Sequence, residues 1–277
     1  MRLGIHLPQY GRAAGPAAIR AVARRAEALG FADVWVSDHL VFPAGQDYPS
    51  PYLFDPLITL TWAGAVTESV GLGTSVLVVP QYHPLQLANS LASLDALSGG
   101  RLTIAVGVGW SAAEFAALDQ EFSNRGARMD EALDIMRLVW DEDPASFHGA
   151  HYDFDDIKVQ PKPAHRIPIW VGGGSAPARA RAAERGDGFQ AISTAPDDLA
   201  PIIAEMRAAR GDGFTISYRT GWDPQGMDPA QIRDECAAYA AVGVDHVVSA
   251  PWRRSAEDWI RSMEQLVEIV GPEPPTR

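Results

Sequence analysis

IPIWVGGGSAPARARAAERG occupies residues 167–186. The apolar run into Val171 reads as a buried strand, the three glycines after it as a tight turn, and the Ala- and Arg-rich stretch past Ser175 as a helix. Such a turn leaves backbone N–H groups bare at a helix N-terminus, where an anion is favoured.

The same unit recurs along the chain. Short runs rich in Val, Ile and aromatics read as strands: LGIHLP from Leu3, DVWVSDH from Asp33, VGLGTSVLVV from Val70 and RLTIAVGVG from Arg101. After IPIWVG from Ile167 come GFQAIS from Gly188, FTISYRT from Phe214 and VDHVVSAPW from Val244. A helical stretch follows each. The first carries Ile19, Val22, Ala26 and Leu29 on one face, and the last carries Trp259, Met263, Leu266 and Val270. Ser111-x-x-Glu114 has the spacing of a capping box, and Asp228-Pro229 places a cap before Pro at N1. Gly30, Gly186 and Gly243 stand where helices close. Eight strand–helix repeats predict one (β/α)8 TIM barrel over residues 1–277. The rival is a doubly wound open sheet; eight units with no spare strand favour closure. Residues 141–166, rich in Pro, Asp and aromatics, read as an insertion with a small hairpin after the fourth helix.

Composition narrows the function. The net charge is −12 with no Lys/Arg-rich tract, which argues against nucleic-acid binding. No 18-residue apolar span and no long apolar N-terminal region occur, so neither a membrane helix nor a signal peptide is expected. Cys236 is the one cysteine, read as a packed residue; a reducing cytoplasm fits. Any anionic ligand must be held by oriented amides and a few local arginines against an acidic whole.

In this fold active sites collect where strands end. That rule selects His6 and Gln9; Ser37, Asp38 and His39; residues 75–79 with Gln81, Tyr82 and His83; Gly107, Val108, Gly109 and Trp110; Gly172; and Tyr218, Arg219, Trp222, Trp252 and Arg253. Asp38-His39 is the sharpest pair, because a His beside a carboxylate can move a proton near neutral pH. The bland alternative is a His that only closes a strand, and His6 reads more readily as an interior histidine. GVGWSA at 107–112 matches a dinucleotide fingerprint formally, but it follows the fourth strand, not the first. It reads better as Gly107 and Gly109 letting backbone approach a flat ligand. Gly172, Gly173, Gly174 and Ser175 form the stronger site, a phosphate turn. His148-x-x-His151 with Asp153 and Asp155 lies in the hairpin, and no metal is expected there. No Gly-x-Ser-x-Gly elbow is present, which argues against nucleophilic hydrolysis.

HPLQLANSLASLDALSGGRLTIAVGVGWSAAEF, NRGARMDEALDIMRLVW and QPKPAHRIPIWVGGGS together resemble the luciferase-like monooxygenase superfamily, in its deazaflavin (coenzyme F420)-dependent oxidoreductase branch. The resemblance runs from Leu3 to about Gly188. It implies a TIM barrel with a flavin or deazaflavin across its mouth. By position it implies that Ser75 and Val76 form a bulge, often with a non-prolyl cis peptide. It places Gly107, Val108, Gly109 and Trp110 along the cofactor, and the phosphate at Gly173 and Gly174. Asp38 and His39 match a pair that contacts cofactor and donates a proton in sugar-phosphate-oxidising relatives. Those relatives carry a carboxylate directly after the Gly-x-Gly. Trp110 stands there instead, which points away from glucose 6-phosphate and toward an apolar or aromatic substrate, or a ring stacked near the cofactor. His6, Gln9, Trp110, Trp222 and Trp252 are the expected substrate-lining residues.

Three readings follow. The first is hydride transfer between coenzyme F420 and a small organic substrate, with His39 as proton donor. The second is an FMN-dependent monooxygenase that uses oxygen and reduced FMN from a separate reductase. The third is a non-catalytic flavin-binding barrel. Exposed aromatics are candidate anchors for a homodimer.

Overall fold

The computed structural model describes residues 1–46 and 50–271. Eight parallel strands close into a barrel: β1 (Arg2–His6), β2 (Asp33–Val36), β3 (Gly71–Val78), β4 (Leu102–Gly107), β7 (Ile169–Gly172), β8 (Gly188–Ile192), β9 (Thr215–Thr220) and β10 (His246–Ser249). Their order around the ring is β1-β10-β9-β8-β7-β4-β3-β2, so every neighbour is next in the chain of repeats and the last strand pairs with the first. Closure is therefore the outcome, and the open sheet is excluded. The insertion holds the antiparallel hairpin β5 (Ala145–His148) and β6 (Asp153–Ile157).

Around the ring lie α1 (Pro16–Ala28), α2 (Pro56–Gly64), α3 (Pro84–Ser98), α4 (Ala112–Ala117), α5 (Arg125–Asp141), α6 (Ala176–Arg185), α7 (Pro196–Arg210), α8 (Pro229–Ala241) and α9 (Ala256–Val270). The fourth repeat thus carries two helices, and the hairpin follows the second. Among the described residues no helix is long and apolar enough to cross a membrane. The cap expected at Asp228 holds, its side chain accepting from Ala230 N–H at 2.8 Å; Ser175 caps α6 as well, accepting from Ala178 N–H at 3.3 Å. Gly30 and Gly243 take positive φ after their helices. Gly186 does not, with φ −86°. It is glycine for room instead: a Cβ there would lie 2.9 Å from the Ala182 carbonyl oxygen.

Two indoles plug the barrel interior. Trp35 and Trp170 stack at 5.3 Å, with Ala105, Val248 and Val76 packed on them. The facing positions are glycine because the indoles take the space: a Cβ on Gly73 would meet the Trp35 ring at 2.5 Å, and one on Gly188 would meet Trp170 at 2.5 Å. Below the plug, at the first residues of their strands, His246 Nε2 and Asp33 Oδ1 pair at 2.9 Å. The Trp35 indole N–H donates to the same carboxylate. Burial pushes the Asp33 carboxyl up, but the charge of His246 and its hydrogen bond outweigh it and hold the group below its ordinary value. Above the plug, polar side chains form the floor of the mouth.

Candidate active site

The floor is built by β3. Its pairing with β4 slips between Thr74 and Leu77, and the Ser75–Val76 peptide is cis, as the resemblance implied. The slip lifts Val76 into the space between β4 and β7. Val76 explains two glycines, since a Cβ on Gly107 would meet its Cγ2 at 2.7 Å and one on Gly172 its Cγ1 at 2.6 Å. Gly107 is thus glycine first to admit Val76. Gly109 has φ +76°, and a Cβ there would press on Val78 and Phe115. Ser75 Oγ donates to Gln190 Oε1 at 2.6 Å, and Gln190 Nε2 reaches Ser217 Oγ at 3.2 Å. Ser217 meets His246 Nδ1 at 2.9 Å, so a continuous hydrogen-bonded line runs from the floor to the pair under the plug. Arg219 donates to the Ser75 carbonyl at 2.5 Å and to Ser37 Oγ at 3.1 Å.

Over this floor opens a cavity of about 640 Å³ at the C-terminal ends of the strands, a size suited to a small organic ligand. Of the expected residues, Asp38, His39, Ser75, Val76, Gly107, Val108, Gly109, Trp110, Gly172, Gly173 and Trp252 line it. Gly174 and Ser175 lie just beyond, at the start of α6. The N–H groups of Gly174, Ser175 and Ala176 make no hydrogen bond among the described residues. Three expectations are corrected. His6 is fully buried, with Nδ1 on the Leu7 carbonyl at 2.8 Å and Nε2 on Ser37 Oγ at 2.9 Å. Burial, then the charge of Arg219, push its pKa down to about 3, so it stays neutral beneath the site. Gln9 is buried with its amide shared among Ser37 and Phe54 backbone groups. Trp222 is buried and donates to Glu235 at 2.8 Å. None of the three lines the cavity.

Asp38 and His39 leave β2 together but face different partners. Asp38 is buried and accepts from Val78 N–H at 2.8 Å and Tyr82 Oη–H at 2.9 Å, which ties β2 to β3. Burial pushes its carboxyl from 3.8 up to about 7, against the pull of those two hydrogen bonds. The folded protein therefore binds a proton that the unfolded chain has lost, so this group costs stability as pH rises from about 4 to 7. Asp38→Asn is expected to remove that slope. Its stability relative to the parent should grow by on the order of 1–2 kcal/mol across the range and then level, since relaxation and water entry blunt the full cost of burial. Urea unfolding at stepped pH checks this, and a constant difference would contradict it.

The partner of His39 is Glu114, far along the chain. His39 Nδ1 lies 3.1 Å from Glu114 Oε2, and Glu114 Oε1 accepts from Leu40 N–H at 2.6 Å. Burial pushes the Glu114 carboxyl up, but the hydrogen bonds from His39 and from Leu40 N–H outweigh it and keep it ionised. An ionised acceptor on Nδ1 holds the proton there and leaves Nε2 as the ring atom that exchanges a proton. The Ser111-x-x-Glu114 spacing predicts a capping box. Ser111 does cap α4, accepting from Glu114 N–H at 3.3 Å, but the Glu114 carboxylate turns to His39. Trp110, 62% exposed, stands edge-on to His39 at 5.6 Å. Trp252 is held with φ +50°, a conformation that costs about 1–2 kcal/mol in a residue with a Cβ. It packs on His6, Tyr10 and Trp259. In the hairpin, His148 lies 3.0 Å from Asp153 and 3.3 Å from Asp155, all three exposed.

Residues 1–221 match the family model for luciferase-like monooxygenase. The chain is 32% identical over 203 residues to an F420-dependent glucose-6-phosphate dehydrogenase of Amycolatopsis mediterranei, covering 69% of this chain and 59% of that protein. It is 31% identical over 240 residues to an F420-dependent hydroxymycolic acid dehydrogenase of Mycobacterium tuberculosis, covering 86% and 61%. The matches thus span about three-fifths of these two relatives. In fold it resembles an F420-dependent secondary alcohol dehydrogenase solved with an F420–acetone adduct, with TM-score 0.81, 20% identity and coverage of 97% and 98%. It also resembles the monooxygenase RslO1 from Streptomyces bottropensis, with TM-score 0.77, 23% identity and coverage of 97% and 98%. With most of its length on the family model, the chain belongs to the luciferase-like monooxygenase family.

Proposed function

We propose that the protein is a coenzyme F420-dependent oxidoreductase acting on a small organic substrate. The observation that carries this is a cavity with His39, paired to Glu114, on its wall and with Gly172 and Gly173 at its edge leading directly into the bare amides that open α6. The residues fit the cofactor. Val76, seated between Gly107 and Gly172, offers an apolar platform on an otherwise polar floor for a flat ring. The N–H groups of Gly174, Ser175 and Ala176 suit a phosphate, with the α6 dipole behind them. A bound deazaflavin supplies a two-electron hydride carrier. The chain supplies the rest: Glu114 fixes the His39 ring, His39 Nε2 gives or takes the proton, and Asp38, held by Val78 and Tyr82, anchors the segment after β2 that carries His39. The two relatives named for F420 support this cofactor over FMN.

The test is titration of the apoprotein with the deazaflavin and with FMN, followed by fluorescence. The deazaflavin should bind at least about ten times more tightly, some 1.4 kcal/mol. Equal affinity, or a preference for FMN, would favour the monooxygenase reading instead. Gly173, with φ +122°, tests the phosphate turn. Gly173→Ala strains that backbone and should weaken deazaflavin binding by about 1 kcal/mol. A deazaflavin lacking the phosphate should bind parent and variant alike; a variant that weakens both ligands equally would place the phosphate elsewhere.

A further inference from the structure

We infer that the substrate is an uncharged aromatic or apolar molecule held across the mouth of the barrel between Trp110 and Trp252; this rests on the oxidoreductase reading above. Trp110 follows β4 and Trp252 follows β10. These strands stand four apart in a closed ring of eight, so the two residues rise from opposite sides of one cavity. Both remain substantially exposed, at 62% and 43%. Large apolar groups paired around a cavity mouth mark a binding surface better than scattered ones do.

Neither side chain is loose decoration. Trp252 keeps a left-handed backbone conformation and is packed on Tyr10 and His6, each at 5.1 Å. Strain maintained at a cavity wall is characteristic of a functional position. Trp110 sits against the His39 ring. A flat molecule lying by Trp110 is therefore brought next to the group that handles the proton. Leu53, Val108 and Ile192 continue the apolar lining.

Charge argues against an anion in the same place. Arg219 is the one Lys or Arg among the described lining residues. Its guanidinium is already committed to the Ser75 carbonyl and Ser37 Oγ at the floor, with Trp252 over it at 5.6 Å. His39 is matched by Glu114, and Asp38 adds a carboxyl to the lining. A substrate phosphate or carboxylate would enter an acidic protein of net charge −12 and meet no uncommitted cation on these walls.

The test uses the full chain with deazaflavin present and calorimetric titration of three probes: 1-(2-naphthyl)ethanol, 6-(1-hydroxyethyl)-2-naphthoate and glucose 6-phosphate. The neutral alcohol should bind at least tenfold more tightly than its carboxylate counterpart, and the sugar phosphate should give no binding heat. Trp110→Ala and Trp252→Ala should each weaken the alcohol about tenfold, while Trp110→Phe keeps most of its affinity. Trp110 is largely exposed, so its replacement tests the wall without threatening the fold. Preferential binding of either anion, no binding of the alcohol, or an unchanged affinity in Trp110→Ala would overturn the inference. A parallel deazaflavin titration separates the two claims. Alcohol binding without deazaflavin binding leaves the neutral-substrate claim standing and removes the F420 reading; deazaflavin binding with anion preference does the reverse.

Discussion

His39→Ala is expected to lower turnover by about 10²–10⁴-fold, the range for a lost general acid or base, while deazaflavin affinity changes little. The reasoning is local. His39 lines the cavity, its Nδ1 is taken by an ionised Glu114, and Nε2 is left to exchange the proton. Glu114→Gln keeps a similar shape but removes the charge that fixes the ring, and should cost about tenfold. Because Glu114 acts through His39, the double variant should be hardly worse than His39→Ala alone. Additive losses would mean that Glu114 works on something else, such as the Leu40 backbone that it also holds. Unchanged turnover in His39→Ala would reduce His39 to a structural role.

The second large effect concerns stability. His246 and Asp33 form a buried pair under the tryptophan plug. His246→Leu leaves the Asp33 carboxylate with the Trp35 indole as its remaining side-chain hydrogen-bond partner and removes one of the two side-chain partners of Ser217 Oγ, Gln190 being the other. Breaking a buried pair from one side costs about 3–5 kcal/mol, so the variant should lose about 3 kcal/mol at pH 7. In the parent the depressed Asp33 carboxyl contributes stability above about pH 4, and that contribution is lost as pH falls through its lowered folded value. The variant should lack this acid-side fall. Replacing both residues with leucine should recover much of the loss, since apolar pairs often substitute for buried ions. A loss below about 1 kcal/mol in urea unfolding would show that the pair is well solvated.

Much of the architecture is legible in the sequence because the barrel strands are largely buried on both faces and read as apolar runs. Strand 167–172 and helix 176–185 stand where the opening stretch puts them. The site is only partly legible. Strand ends point to Asp38, His39, Gly107 and Trp110, and these do line the cavity, because the fold rule fixes which end of a strand faces the mouth. His6, Gln9 and Trp222 obey the same rule and still fail as lining residues. Whether an inward residue at a strand end stays open depends on its tertiary partners, and theirs, Ser37, Phe54 and Glu235, come from elsewhere in the chain. Glu114 was hidden for a different reason. Its spacing from Ser111 satisfies a helix cap, and a local explanation conceals a contact 75 residues away. Val76 likewise explains Gly107 and Gly172 only in three dimensions.

The account stands most directly on where the cofactor lies, and a crystal structure of the protein soaked with the deazaflavin measures that. The phosphate should sit within hydrogen-bond distance of the amides of Gly174, Ser175 and Ala176, with the ring over Val76 and one edge within reach of His39 Nε2. A phosphate held elsewhere, or a ring outside the cavity bounded by Gly107, Gly172 and Trp252, would contradict it.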